Sequence, residues 1–532
     1  MQRRGFLRAT AASGLAAAGG LTAPTIARAA DNKVLRFVPS EGGVAILDPV
    51  WLVGWPTLTF GLAMYESLYS VDENLSPRPQ MAEGHTIEDD GKRWVIRLRD
   101  GLRFHDNEPV LARDCIASIR RWMARDSIGR STLAGRLDAL EATDDRTIVF
   151  RLKRPFARLD FVLGKPAPNI LPIMPARLAE LDPNKQQNEI VGSGPFRFVP
   201  GEFVAGTRAV QARFEAYQPR NEPPNGMAGG RVANVDRVEW HGMPDPSTAA
   251  NALLTGEIDW MEAPTPDLIS ELRRSRGVVI DVINRYGVLP LLRPNHASGP
   301  TANPGVRRAI MAALDPAEVM EAGMGGDPGS WSAPAGVYTP GSEAASRAGF
   351  QHLGPRPKAE VAAMLAAAAY KNEPIVLLHP ADSPTNNTMC QVIAARLTEY
   401  GFKVDDQVMD SATVALRRSK KDPPERGGWS LYIINVPGAG HSSPMVAQGL
   451  RTGPAAVSGW PENPEMEVLR DRWIDSSDPA DQRAITERSQ EVALADVIFS
   501  PLGHYIRKSA WRSNVSGIVK ATEPLMWNVS KG

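Results

Sequence analysis

AEGHTIEDDGKRWVIRLRDGLRFHDNEPVLARDCIASIRRWM, residues 82–123, is the stretch that decides how this chain is interpreted. Basic and apolar side chains alternate from Arg93 to Leu98, which predicts a strand with one face in water. Asp-Gly pairs at 90–91 and 100–101 are turn signals on either side of that strand. The segment 102–105 is expected to pair back onto it. Beyond the next turn, apolar residues recur every three or four positions, which predicts an amphipathic helix.

This order of strand, turn, strand and helix resembles the signature of the family 5 solute-binding proteins of ABC importers, which bind peptides, nickel or oligosaccharides. The residues that fall in register with the signature are Asp89, Asp90, Gly91, Leu98, Arg99, Asp100, Gly101, Phe104, His105, Asp106, Pro109, Ala112, Asp114 and Ser118. Shorter motifs of the family follow in the expected order at 46–49, 65–69, 191–196, 249–259 and 306–316. The resemblance therefore spans nearly the whole chain after residue 30.

The resemblance implies an α/β fold of the two-lobed periplasmic-binding-protein type (class II, cluster C), with an extra inserted domain. Strands that alternate with helices between residues 359 and 435 also predict a parallel or mixed sheet covered by helices. The predicted domains are a signal peptide at 1–29, a discontinuous first lobe at 31–71, 190–293 and 505–532, an inserted domain at 72–189, and a second lobe at 294–504.

Residues 1–30 have the pattern of an export signal. The segment Gln2 to Arg8 resembles the twin-arginine motif, and an Ala- and Gly-rich apolar segment follows at 9–21. Ala27-Arg28-Ala29 is a cleavage signal, so we expect the mature chain to begin near Ala30. No later stretch approaches the roughly 18 apolar residues of a membrane span. The mature protein is expected in the periplasm.

Composition excludes several classes of protein. Sixty basic and 60 acidic residues cancel among 532, so nothing in the charge favours nucleic acid or an anionic membrane. The two cysteines, Cys115 and Cys390, form neither a disulfide framework nor a zinc ligand set, and we interpret them as small buried apolar residues. The eight histidines include no HExxH motif. We expect no enzyme activity, no cofactor and no metal.

By resemblance, the chain binds a solute between its lobes and delivers it to a membrane permease with its ATPase, and it is expected to act as a monomer. A peptide or peptide-like solute is the leading interpretation, and an anionic or aromatic organic solute is the alternative. An exported sensor or chaperone is a third interpretation. The motif at 191–196 is expected to have a structural and hinge role, while Glu257 and Asp259 are expected to be solvated turn residues.

Ligands of such sheets bind beyond the carboxyl ends of the strands, which directs attention to the loop at 436–443. Peptide-binding relatives carry an aspartate there for the ligand's ammonium group, whereas this loop has glycines, serines and His441. Buried Arg293 needs a partner, either a carboxylate of the other lobe or an anionic ligand. The residues predicted to contact ligand are Trp51, Leu52, Val53, Trp55, Asn169, Arg293, His441 and Trp460.

Overall fold

The structure is a computed structural model that describes residues 33–51, 54–166, 169–187, 189–325 and 329–532. The predicted signal peptide lies outside the described residues, and so do two predicted site residues, Leu52 and Val53. Across the described ranges, every helix is too short or too polar to cross a membrane.

Strands and helices alternate along most of the chain. The strands are β1 (Val34–Val38), β2 (Tyr69–Val71), β3 (Pro77–Pro79), β4 (Ala82–Glu88), β5 (Arg93–Leu98), β6 (Leu137–Ala142), β7 (Thr147–Leu152), β8 (Phe196–Phe198), β9 (Arg208–Arg213), β10 (Arg237–His241), β11 (Trp260–Met261), β12 (Val278–Val282), β13 (Val288–Pro294), β14 (Trp331–Ser332), β15 (Ile375–Pro380), β16 (Val404–Met409), β17 (Leu431–Pro437), β18 (Ser500–Pro501), β19 (His504–Tyr505), β20 (Lys508–Arg512), β21 (Val515–Ser516) and β22 (Ser530–Lys531). The α-helices are α1 (Trp55–Met64), α2 (Ala112–Arg125), α3 (Ala134–Arg136), α4 (Leu159–Gly164), α5 (Ala176–Ala179), α6 (Pro246–Thr255), α7 (Pro266–Leu272), α8 (Pro304–Ala313), α9 (Pro316–Met324), α10 (Lys358–Ala367), α11 (Pro384–Glu399), α12 (Ser411–Arg417), α13 (Pro464–Asp475) and α14 (Pro479–Asp496).

Local sequence chemistry sets where many helices begin. Helices α6, α8, α9, α13 and α14 each follow an Asp or Asn cap and start with proline. The Asp245 carboxylate, for example, accepts a hydrogen bond from the Thr248 amide at 2.7 Å. A side-chain oxygen at the cap satisfies an unpaired helix amide, while proline needs no amide partner in the first turn.

The first lobe is built on a seven-stranded mixed sheet in the order β12-β20-β11-β1-β10-β9-β8. Strand β1 runs parallel to β10 and β11, whereas β20 runs antiparallel to β11. Its core contains Phe37 with Trp240 and Trp260 packed edge-on, at ring-centroid distances of 4.9 and 5.0 Å. This edge-to-face arrangement is the one that aromatic quadrupoles favour.

The second lobe is built on another mixed sheet of seven strands, in the order β14-β19-β13-β17-β15-β16, with β18 also paired to β13. Strand β15 runs parallel to β16 and β17, and β13 runs antiparallel to β17. Helices α8, α9 and α11 pack beside this sheet, and Cys390 of α11 is buried and free, as predicted. The predicted mixed sheet of this segment is therefore confirmed.

The chain crosses between these two sheets at 283–287, from β12 to β13, and returns at 506–507, from β19 to β20. The crossings touch each other, since His504 Nε2 lies 2.9 Å from the Tyr286 carbonyl oxygen. A two-lobed α/β fold is thus confirmed, while the predicted residue boundaries of its domains stay a prediction.

A four-stranded antiparallel sheet, β4-β5-β7-β6, lies within the segment 82–152. Strand β5 buries Trp94, Ile96 and Leu98 and turns the alternate residues outward, as its pattern predicts. The expectation for 102–105 is wrong. This segment forms an isolated bridge from Arg103 to Pro109 instead, because the turn at Asn107 folds it back on its own continuation.

Candidate functional site

A small group of charged side chains converges at one edge of the first sheet. Glu41 follows β1 and Glu262 follows β11, and these neighbouring strands run parallel, so both carboxylates lie beyond their carboxyl ends. Arg507 directly precedes β20, which runs antiparallel to β11, so its guanidinium reaches the same edge. Glu523 comes from the C-terminal segment and completes the group. We call Glu41, Glu262, Arg507 and Glu523 the acidic cluster.

The acidic cluster borders a cavity of about 40 Å³ beside both crossings. Glu262, Arg507 and Glu523 line it together with Trp55 and Asn284, and residues of the second sheet form the opposite wall. Gly287 and Val288 at the start of β13 and Pro437 at the end of β17 belong to that wall. The cavity therefore lies where the two lobes meet.

The charges of the cluster are not neutralised among themselves. Arg507 donates to Ser40 Oγ at 3.2 Å, and Glu262 accepts from the Ser40 amide at 2.8 Å. Within the described part of the chain, no carboxylate lies within 4.0 Å of the Arg507 guanidinium. Burial disfavours the charge on Arg507, but the nearby carboxylates outweigh that effect and its pKa is raised.

Glu523 is the least satisfied member of the cluster. Its side chain is 5 % exposed and lines the cavity, and among the described residues no hydrogen-bond or ion-pair partner reaches its carboxyl. Burial and the charge of Glu262 raise the pKa of Glu523 well above its ordinary value, and Arg507 offsets only part of this. Burial likewise raises the pKa of Glu41, although this residue keeps much of its surface in contact with solvent.

Hydrogen-bonded polar side chains, several of them amides, occupy the corresponding edge of the second sheet, where β15 and β17 end. Asn435 donates through Nδ2 to Asn386 Oδ1 at 3.0 Å, and its own Oδ1 is buried without a partner among the described atoms. His379 bridges Asp406, at 2.8 Å, and Asn387, at 2.6 Å. The edges beyond the parallel strands of the two sheets therefore differ in chemistry, acidic on the first and amide-rich on the second.

A larger cavity of about 420 Å³ lies between the inserted segment and the second lobe. Ser442 and Ser443 of the 436–443 loop line it, together with Arg158 and Trp473. Arg158 is already held by Gln482 at 3.3 Å and lies over the Trp473 ring. This cavity is roomier, but we base the candidate site on the smaller one, because the buried side chain of Glu523 lines it without a hydrogen-bond partner among the described residues.

Of the residues that the sequence predicted, Trp55 lines the acidic cavity. Trp51 lies elsewhere, with the Arg125 guanidinium 4.0 Å from its ring. Asn169 donates to the Val50 carbonyl at 3.1 Å and accepts through its own carbonyl from the indole of Trp122. Asn169 therefore contacts the segment that carries Trp51, and neither residue lines the acidic cavity with Trp55. The ligand roles of all three residues stay predictions.

The predicted ligand-binding residues of the second lobe make contacts within that lobe. Arg293 is 1 % exposed and donates to the carbonyls of Gly449 and Ser458, so the expectation of a carboxylate partner in the other lobe is wrong. His441 is 2 % exposed, and its Nδ1 lies 3.1 Å from the Val337 carbonyl oxygen. Trp460 packs on Trp429 at a ring-centroid distance of 5.8 Å. Contact of any of them with a ligand stays a prediction.

Sequence reasoning missed the acidic cluster. One feature of the sequence could have pointed to Glu41 and Glu262, since each follows the end of a strand within a few residues. The prediction that Asp259 is a solvated turn residue is wrong. Asp259 is buried, where it accepts from the Arg36 amide at 2.8 Å and from Lys531 Nζ at 2.9 Å.

No set of three His, Cys, Asp or Glu side chains is arranged to hold a metal ion within the described ranges. The acidic cluster itself combines carboxylates with a guanidinium. A mixed set of this kind suits an organic ligand with charged and hydrogen-bonding groups.

Residues 76–451 match the family described as bacterial extracellular solute-binding proteins, family 5. The chain belongs to this family. Family 5 proteins bind solutes and are not enzymes, and the two-lobed fold with its cavity at the crossings agrees with that role.

Curated relatives span the whole length of this family 5 chain. A probable peptide ABC transporter periplasmic-binding protein, y4tO of Sinorhizobium fredii (strain NBRC 101917 / NGR234), is 34 % identical over 530 residues, which is 98 % of each chain. The glutathione-binding protein GsiB of Escherichia coli (strain K12) is 24 % identical over 531 residues, with 96 % of each chain covered.

Solved structures share the fold at lower sequence identity. The binding protein AgaA from A. tumefaciens R10, in complex with agropinic acid, superposes with a TM-score of 0.78 and 20 % identity over 94 % of this chain and 99 % of its own. DppA from Helicobacter pylori, in complex with the peptide STSA, gives 0.75 and 21 % over 94 % and 98 %. These likenesses establish the fold.

Proposed function

We propose that this chain captures a peptide or a peptide-like small solute between its lobes and delivers it to the permease of an ABC importer. The permease and its ATPase are separate membrane partners, and the binding protein acts as a monomer in the periplasm. Export through a twin-arginine signal cut near Ala30 belongs to the same proposal.

The observation that carries this proposal is the acidic cavity at the meeting point of the two lobes. It lies beside both chain crossings, so a solute held there contacts both lobes at once. A ligand that contacts both lobes binds their closed arrangement more tightly than the open one, and this difference in affinity drives closure.

Peptide as the solute class is supported by the relative from Sinorhizobium fredii, which is 34 % identical over nearly the full length. The absence of an aspartate from the 436–443 loop does not contradict it, because carboxylates are available on the opposite lobe. A peptide's free ammonium group needs such a carboxylate when it is taken out of water.

The test is thermal unfolding of the mature protein, from Ala30 onward, with di-, tri- and tetrapeptides and, separately, with aromatic acids and sugars. A ligand at a hundred times its Kd adds about 2.7 kcal/mol to stability. For a protein of this size we expect that to raise the unfolding midpoint by roughly a degree or more. Shifts with peptides alone support the proposal.

Shifts with acids or aromatic compounds and none with peptides would contradict the peptide assignment. They would favour the alternative of a non-peptide organic solute, whose negative group needs a cation such as Arg507 or Arg158. Deletion of the gene for this chain distinguishes delivery from sensing, since only delivery predicts that uptake of the bound solute is lost.

A further inference from the structure

The inference concerns the charge of the group that the acidic cluster accepts, and it rests on the proposed function. The cluster at the junction of the lobes has three carboxylates near one guanidinium. The carboxylates are those of Glu41, Glu262 and Glu523, and the guanidinium is that of Arg507. Ionisation of all three carboxyls would give the cluster a net charge of −2, and the raised pKa values of Glu523 and Glu41 show that the free site disfavours this charge. A cationic ligand would supply the missing positive charge and favour the ionised carboxylates.

The members of the cluster differ in how many partners they have. Glu262 accepts from the Ser40 amide at 2.8 Å, and the nearby Trp55 backbone at the start of α1 partly offsets the rise in the pKa of Glu41 that burial causes. Glu523 is more than nine-tenths buried and faces the cavity without a partner among the described residues. A buried carboxyl that lacks a partner costs free energy, and a ligand donor would recover part of that cost.

The backbone holds Glu523 in this position. The Thr522 carbonyl accepts from Asn284 Nδ2 at 2.7 Å, and the Ala521 amide donates to the Ile283 carbonyl at 3.2 Å. These bonds attach the C-terminal segment to the first crossing between the lobes. The backbone next to Glu523 is therefore held by hydrogen bonds beside the cavity.

The size of the cavity limits what can enter it. About 40 Å³ is room for a few water molecules. A primary ammonium or a guanidinium group fits in that space, whereas a whole dipeptide does not. Trp55 also lines the cavity, and its aromatic ring would attract a cation that bound over its face.

We infer that the acidic cluster is a subsite for a cationic group of the solute, with Glu523 as its principal acceptor and Glu262 beside it. For a peptide, the group is the α-ammonium. Arg507 has a different role in this arrangement, since it limits the repulsion among the carboxylates while leaving Glu523 free to accept.

The test compares matched probes by calorimetry on the mature chain. The probes are di-, tri- and tetra-alanine, the same peptides with acetylated amino termini, and non-peptide primary amines. The variants are Glu523→Gln and Glu262→Gln, with Glu257→Gln as control, because Glu257 is an exposed residue of the same lobe. Melting curves without ligand establish that each variant is folded.

We expect the free-amine peptides to bind and the acetylated ones to bind at least tenfold more weakly. Glu523→Gln should weaken the free-amine peptides by about 10- to 100-fold, as expected for loss of a charged hydrogen-bond acceptor. Glu257→Gln should leave affinity unchanged. If Glu523→Gln fails to fold, the same loss in Glu262→Gln tests the inference.

The outcomes separate the subsite from the solute class. Equal binding of free and acetylated peptides would overturn the cationic subsite and leave the peptide function standing. Binding of non-peptide amines alone, weakened by Glu523→Gln, would support the subsite and overturn the peptide assignment. Binding of neither peptides nor amines would overturn the subsite.

Discussion

His441 illustrates how burial decides the chemistry of a single residue. Its imidazole lies inside the second lobe, with Nδ1 3.1 Å from the Val337 carbonyl oxygen and its ring edge-on to Phe499. Burial, together with the positive charges of Arg293 and Arg470, lowers its pKa to about 4. The side chain is therefore neutral at physiological pH.

A pH dependence of stability follows from that low pKa. Between pH 6.5 and pH 4 the unfolded His441 binds a proton that the folded protein does not, so the free energy of unfolding falls as the pH falls. From pH 7 to pH 5 this residue alone should cost about 2 kcal/mol. Melting of His441→Gln at pH 7, 6 and 5 should show a shallower decline than the wild type.

Two further histidines, His105 and His296, are partly buried, and burial lowers their pKa values to about 4 and about 3, so the decline should be reduced and not abolished. His352→Gln is the control, since this imidazole keeps contact with solvent. A decline in His441→Gln as steep as in the wild type would contradict the prediction.

At the scale of elements, the segment at 191–196 is hydrogen-bonded to the end of α1 and to the residues just after it. Ser193 Oγ accepts from the Glu66 amide at 3.1 Å and donates to the Ile173 carbonyl at 2.9 Å. The structural role predicted for this motif is confirmed. The crossings between the lobes lie elsewhere, at 283–287 and 506–507, which does not favour its predicted hinge role.

Gly192 is required there by close contact. A Cβ on this residue would lie 2.0 Å from the Met64 carbonyl oxygen, so Gly192→Ala must move one backbone away from the other. We expect a loss of about 1–3 kcal/mol in stability, measured by denaturant unfolding. Gly201→Ala is the matched control, since no atom lies within 4 Å of its added methyl group. Equal stability of the two variants would contradict this account.

At the scale of the whole molecule, the acidic cavity lies beside both crossings, so we expect binding at the proposed subsite to favour lobe closure. Glu523 of the first lobe and Pro437 of the second line the same cavity, so a group accepted there would contact both lobes. Contacts that exist only when the lobes are together favour the closed state.

Small-angle scattering of the mature protein should therefore show a smaller radius of gyration when a solute that raises the melting midpoint is added. The closed form should approach about 23 Å, the value for a compact chain of this length. The forward scattering should give the mass of one chain. Glu523→Gln at the same solute concentration should compact less, and a radius unchanged by saturating solute would contradict closure.

Much of the fold could be predicted because it depends on local patterns. Alternation of polar and apolar residues defined β5, and both cysteines are buried as predicted. The predicted pairing of residues 102–105 with β5 was wrong because their pairing depends on a turn at Asn107. The left-handed backbone conformation of Asn107 is decided by its surroundings. The two-lobed arrangement was predicted from the family motifs, because no single pattern of polar and apolar residues specifies it.

By itself the sequence determined the family, the order of strands and helices and the general role of a solute-binding protein, because each rests on signals within a few residues of one another. Only the tertiary structure decided the candidate site. Glu41, Glu262, Arg507 and Glu523 are ordinary charged residues spread over nearly the whole chain. They become a site because parallel strands end at one edge and because burial leaves Glu523 without a partner, and both are long-range consequences of folding.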